Sequence, residues 1–109
     1  MNIKQYVIKL RAQIASANPA EDSSALRRKL QYAQAYARGE EGLKQYRARA
    51  VAAKIEQVHN KDAQLAILFN EHIHPEEYEA YQAFRVECKA AVSAEMAVLK
   101  AELEAILNQ

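Results

Sequence analysis

The chain has 109 residues, half of them hydrophobic, and its formal net charge is +1. This length corresponds to one domain, and the low glycine and proline content, two residues of each, favours helices over strands. No apolar run reaches the ~18 residues of a membrane span. The single Cys88 excludes an internal disulfide and predicts a reducing, cytoplasmic compartment.

The near-neutral net charge conceals two blocks of opposite sign. Residues 23–61 contain nine Lys/Arg and three Asp/Glu, whereas residues 62–109 contain three Lys/Arg and nine Asp/Glu. Helical blocks of opposite charge attract each other, either within one molecule or between copies.

Two helices are predicted in the first third of the chain, because apolar residues recur there every three or four positions. Helix 1 covers about residues 2–17, and Asn18-Pro19 ends it because proline cannot continue a helix. Helix 2 covers about residues 20–38, and Gly39 fits its C-terminal cap. Its start lies between Pro19 and Ser24, because Asn18-Pro19 is one start signal and residues 22–24 supply a second. The residues expected to face inward are Ile3, Val7, Leu10 and Ile14 in helix 1, and Leu26, Leu30, Ala33 and Ala37 in helix 2.

Two further helices are predicted in the middle of the chain. The segment 39–42 reads as a tight turn before helix 3, which covers about residues 42–59. Asn60-Lys61-Asp62 then interrupts the helical pattern, and Asp62 is suited to be an N-cap. Helix 4 covers about residues 63–73, and its pattern predicts that the inward-facing residues are Leu65, Leu68 and Phe69.

The last helix has the strongest start signal, His74-Pro75-Glu76-Glu77, and its pattern continues without interruption over residues 75–107. Such a helix is roughly 50 Å long, whereas a compact domain of this size is roughly 35 Å across. It is therefore expected either to break near Ser93 or to bury its far end against another chain. The predicted fold class is all-α, a four- or five-helix antiparallel bundle with a long C-terminal amphipathic helix.

The length of helix 5 leads to the main functional hypothesis, a non-catalytic protein–protein interaction module that self-associates, most simply as a dimer. The apolar stripe of helix 5 would be the interface, with acidic residues at its edge to set the orientation. Two basic residues of helix 3, Arg47 and Lys54, could face the acidic ones. The predicted interface residues are Val92, Met96, Leu99, Leu103 and Ile106, with Glu95 and Glu102 beside them.

Two alternatives follow from the charged blocks. Basic residues interleaved with Tyr32, Tyr36 and Tyr46 suit nucleic acid, which selects positive charge and stacking rings. The acidic helix 5 could instead be presented to a basic partner protein, which requires Glu76, Glu77, Glu79 and Glu87 to be exposed. The candidate nucleic-acid contacts are Arg27, Arg28, Lys29, Arg38, Lys44, Arg47, Arg49 and Lys54.

No combination of residues predicts an enzyme. His72 and His74 form a His-x-His pair, which falls short of the three or four ligands of a zinc site, and we expect His72 to pack on the inner face of helix 4. Cys88 lies on the apolar stripe, where a free cysteine is typically a small buried hydrophobe. No cofactor is expected, and the capped, glycine-poor build is typical of small bacterial or phage accessory proteins.

Overall fold

The computed structural model describes residues 1–109, and 82% of them lie in five α-helices, with no strands. The helix bounds are α1 (Ile3–Ser16), α2 (Ser24–Ala37), α3 (Gly39–Val58), α4 (Lys61–Phe69) and α5 (Pro75–Leu107). The predicted all-α bundle with a long C-terminal helix is confirmed. The last helix has 33 residues and does not break at Ser93. None of the helices combines the length and the hydropathy that crossing a membrane requires.

The first helix is capped as its sequence allows, and the second begins at the later end of its predicted range. At the start of α1, the Asn2 side chain accepts from the Gln5 N–H while the Gln5 side chain accepts from the Asn2 N–H, a capping box. Helix α2 begins at Ser24, the second of the two predicted start signals, and not near residue 20. Asn18 Oδ1 accepts from the Ala20 N–H and Asp22 Oδ1 from the Ser24 N–H, and such local bonds compete with helix formation.

The bounds of α4 also differ from the prediction, whereas α5 begins at Pro75 as expected. The N-cap of α4 is Asn60, whose Oδ1 accepts from the Ala63 N–H at 2.8 Å, and Asp62 lies in the first turn instead. The helix ends at Phe69, four residues early, because Asn70 begins a turn that receives the His74 N–H at 2.7 Å. A helix cannot continue through the residue before a proline without strain.

The chain divides into two compact units, each with its own apolar core. Unit 1 comprises Met1–Tyr46 and Glu95–Gln109, and unit 2 comprises Arg47–Ala94. The sequence predicted a single domain, and the division into two units does not test that prediction. The buried core residues are Tyr6, Leu10, Tyr32, Ala33 and Leu103 in unit 1, and Ile55, Ile67, Tyr81 and Cys88 in unit 2.

The junction between α2 and α3 is tighter than the predicted four-residue turn. Only Arg38 separates the two helices, and Gly39 has a φ of +81°, a left-handed conformation that glycine adopts at little cost. Gly42 is buried in the first turn of α3. A Cβ there would clash with the Ala35 carbonyl oxygen and lie 2.6 Å from the Arg38 Cβ, so the close approach of the chain at this point requires glycine.

We therefore expect Gly42→Ala to lower the free energy of unfolding, by ~1–3 kcal/mol as for other overpacked sites. The sign is informative, because the same substitution in an unobstructed helix interior stabilises by up to ~1 kcal/mol. Urea denaturation followed by circular dichroism measures the change. Ala48→Gly, at an exposed position of the same helix, is the control and should cost about 1 kcal/mol. A Gly42→Ala variant as stable as the wild type would contradict the packing described.

Candidate interaction surface

The rotation of α4 about its own axis is set by contacts within unit 2. Ile67 points into the core of the unit and is buried. On the same side of the helix, the Gln64 Nε2 donates to the His59 carbonyl oxygen at 2.9 Å, and the Tyr81 hydroxyl donates to the Gln64 Oε1 at 2.7 Å. A part-buried amide with both ends satisfied holds its helix in one orientation.

Aromatic packing supports the same arrangement. The His59 ring meets Tyr81 and Phe84 edge to face, with centroids 5.5 and 5.6 Å apart. The Arg85 guanidinium lies 5.9 Å from the centroid of the Tyr81 ring, within the range of a cation–π contact. Tyr81 thus combines a buried ring, a hydrogen bond to α4 and two aromatic or cationic neighbours.

As a consequence, the large apolar side chains of α4 point outward, and the predicted inward face of helix 4 is wrong. Phe69 is 81% exposed, Leu65 50% and Leu68 42%. Ile73 follows in the turn after the helix, four positions beyond Phe69, and is 70% exposed. We call these four residues the α4 face. Within the helix, Leu65 lies three and four positions before Leu68 and Phe69, which places these three side chains on neighbouring parts of its surface, and Ile73 lies beyond the end of the helix.

The segment that contains the α4 face is rich in acidic residues, and the one cation of α4 is Lys61 at its first position. Residues 62–84 contain five Asp/Glu and no Lys/Arg. Asp62 lies on the exposed side of α4 and Glu71 in the turn that follows, and the first turn of α5 adds Glu76 and Glu77. The hypothesis that helix 5 is presented to a basic partner protein requires four exposed acids. All four are exposed: Glu76, Glu77, Glu79 and Glu87.

The predicted interface stripe of helix 5 is packed inside the chain. Leu103 is 2% exposed in the core of unit 1, and Met96, Leu99 and Ile106 pack against the same core. Val92, in unit 2, is 1% exposed. Glu102 forms an ion pair with Lys29 of α2, with Nζ and Oε2 3.8 Å apart. These apolar side chains are core residues, so the surface expected to bind a second chain is already covered; the pairing of Lys54 with Glu95 stays a prediction.

The basic residues proposed for nucleic acid divide between the two units. In unit 1, Lys29 is half-buried in its ion pair with Glu102. Among the other predicted nucleic-acid contacts, Lys54 is half-buried and the rest are exposed. The exposed ones are Arg27, Arg28, Arg38 and Lys44 in unit 1 and Arg47 and Arg49 in unit 2.

The rings expected to stack on bases belong to the core of unit 1. Tyr32 is buried and meets Tyr46 edge to face at 5.5 Å, and Tyr36 packs beside it. Burial raises the pKa of the Tyr32 and Tyr46 phenols above the ordinary value of 10.0. The pKa of Tyr6 is raised too, first by burial and then by the Glu102 carboxylate. The rings of Tyr32, Tyr36 and Tyr46 are thus used in packing within unit 1. The basic residues between them provide positive charge but no rings on which bases could stack.

Other candidate groups are easily located. His72 and His74 are exposed, and the prediction that His72 packs on the inner face of helix 4 is wrong. No three His, Cys, Asp or Glu side chains lie close enough to hold a metal ion together. Cys88 is a free, buried thiol in the core of unit 2. No protein-family model, curated protein or solved structure matches the chain.

The position of the helix 5 stripe can be tested by separating stability from association. We expect Leu103→Ala to lower the free energy of unfolding by ~2–5 kcal/mol, as for other buried leucines. Val98→Ala, at an exposed position of the same helix, should change it by no more than ~0.5 kcal/mol. Urea denaturation measures both. A Leu103→Ala variant that keeps wild-type stability but loses self-association would restore the stripe as an interface.

The raised phenol pKa values predict how stability responds to alkali. Above pH 10.0 the unfolded chain releases its phenol protons while Tyr6 and Tyr32 keep theirs in the folded chain. The free energy of unfolding therefore falls as the pH rises beyond that value, and these groups cause no loss below it. Urea denaturation at about pH 8 and about pH 11 should show a smaller loss in Tyr6→Phe/Tyr32→Phe than in the wild type. Equal losses in both proteins would count against the buried phenols as the cause.

Proposed function

We propose that this protein is a non-catalytic protein–protein interaction module that self-associates through the α4 face. The observation that carries the proposal is the exposure of four large apolar side chains, three on α4 and Ile73 in the turn that follows it. The largest exposed apolar patches of monomers, about 300–600 Å², often bind partners. The acidic residues next to these four side chains make the patch selective for a basic partner surface.

A second copy of the chain offers the charge that the α4 face lacks. Residues 1–61 contain twelve Lys/Arg and five Asp/Glu, whereas all the charged residues of 62–84 are acidic. Attraction between these two segments in different copies would give the opposed charge blocks a role, although the net charge of each chain is close to zero. It also keeps the homo-oligomer of the sequence interpretation while moving its surface from the α5 stripe to α4.

A nucleic-acid-binding function has one observation in its favour, the exposure of basic side chains in unit 1, among them Arg27, Arg28 and Arg38. The loss of the tyrosine rings to the core removes the stacking that single strands select. Phosphate contacts alone would give weak, strongly salt-dependent binding. Presentation of the α5 acids to a different basic protein is the second alternative, and the exposure of those acids favours it.

Light scattering coupled to size-exclusion chromatography, over a concentration series, tests the proposal. A contact made through one small patch is a weak interface, for which we expect a dissociation constant on the order of 1–100 μM. Phe69→Ser should raise that constant by about 10- to 100-fold, because burial of a phenylalanine contributes ~1.5–3 kcal/mol.

The matched control is Val86→Ser, at a comparably exposed apolar position of the same unit, which should leave the constant unchanged. A wild-type chain that stays monomeric at several hundred micromolar, well above ~100 μM, would refute self-association. Equal effects of the two substitutions would refute the α4 face as the surface involved.

A further inference from the structure

We infer that the segment seated on the α4 face is helix α1 of a second copy, so that association is heterologous, with two different surfaces in contact. The inference rests on the proposed self-association and names the surface that the partner copy contributes. It follows from the outward side of α1, which the sequence pattern assigned no role.

The outward side of α1 is cationic and partly apolar. Residues 1–20 contain three Lys/Arg and no Asp/Glu. Lys4, Ile8 and Arg11 are all exposed, Ile8 by 59%, and their spacing of four and three residues aligns them on one side of the helix. Neither Lys4 nor Arg11 takes part in an ion pair within the chain. We call these three residues the α1 face.

The opposite side of α1 is fully engaged, which leaves the α1 face without a function in the fold. Tyr6 and Leu10 are buried in the core of unit 1, and Ile3 and Val7 pack against it. The exposed Ala12 and Ala15 lie on the outward side, and small residues allow another helix to approach closely. The exposure of the Ile8 side chain to water is unfavourable, and an apolar surface that covered it would remove this cost.

The two faces are complementary in charge and in apolar character. On α1 the order is cation, apolar residue, cation, and Lys4 and Arg11 are about 10 Å apart along the helix axis. On α4, Asp62 lies three positions before Leu65 on the same side of the helix, and Glu71 lies in the turn after Phe69. Laying α1 along α4 sets one cation beside Asp62 and directs the other toward the turn that contains Glu71, while Ile8 covers the apolar side chains between them. The one cation on α4, Lys61, is at its first residue, four positions before Leu65, and the five acids of residues 62–84 outnumber it.

A single heterologous contact leaves the α4 face of one copy and the α1 face of the other unoccupied, and an open assembly keeps one free face of each kind until a ring closes. Two copies that exchange both contacts form a closed dimer, whereas copies linked in series form larger rings or open chains. An isologous α4–α4 contact would instead stop at two copies and would oppose like charges, because each α4 face carries the same acids.

Mixing two variants that are each defective in one face tests this directly. Leu65→Ser/Phe69→Ser removes the α4 face, and Ile8→Ser/Arg11→Glu removes the α1 face. All four positions are exposed, so circular dichroism and thermal melting should show both variants folded like the wild type. If the inference holds, each variant alone is monomeric where the wild type associates, and an equimolar mixture forms a 1:1 complex through the intact α1 face of one and the intact α4 face of the other. Analytical ultracentrifugation with one variant fluorescently labelled measures the complex.

The other outcomes overturn the inference in distinguishable ways. If the α1-face variant self-associates as strongly as the wild type, the contact is α4 on α4 and the proposed self-association stands without the inference. If both variants are monomeric and their mixture shows no complex, the two faces do not form one contact. If the wild type itself is monomeric, the proposed function fails together with the inference. A dissociation constant of the mixed complex that does not rise with salt would also reject the charge pairing.

Discussion

The arrangement of unit 2 depends on one interaction, the hydrogen bond from the Tyr81 hydroxyl to the Gln64 side chain. Together with the buried Ile67, it decides which side of α4 meets the core. A short helix of nine residues with little stability of its own takes its orientation from tertiary contacts. Once Gln64 and Ile67 face inward, the helical period turns Leu65 and Phe69 outward and leaves Leu68, four positions after Gln64, at the boundary with 42% exposure. The exposed apolar surface is thus a geometric consequence of how one polar side chain is satisfied.

The long C-terminal helix has the opposite relation to its surroundings. Its length led to the expectation of a partner chain, yet its apolar side chains pack in the cores of the chain itself, Leu103 in unit 1 and Cys88 in unit 2. A helix that supplies residues to two cores can be long without presenting a bare apolar stripe. Length alone is therefore a weak indicator of assembly, and the exposure of particular side chains is a better one.

The sequence predicted the helices well and their orientations less well. Pro75 with two acids in the first turn located the start of α5, because that combination has few alternatives. The α4 face was missed because α4 has apolar residues on both sides, Ile67 on one and Leu65 on the other, so periodicity could not choose between them. The tyrosines near the basic block were misassigned for a related reason, since the same ring suits a core or a nucleotide. The acidic character of the segment that contains the α4 face can be recognised from the sequence alone, because residues 62–84 contain no Lys/Arg.

The segregated charges contribute little to the stability of the fold. The Lys29–Glu102 ion pair joins two half-exposed side chains at 3.8 Å, and such pairs stabilise by only ~0–1 kcal/mol. Apolar packing stabilises each unit instead, around Tyr32 and Leu103 in unit 1 and around Tyr81 in unit 2. Charges that the fold does not need can be separated along the chain and used between molecules, where they favour one orientation and speed encounter. On this view the net charge of +1 is a weak guide to the surface, because the excess of seven cations in residues 1–61 and the excess of six acids in residues 62–109 nearly cancel in number but not in position.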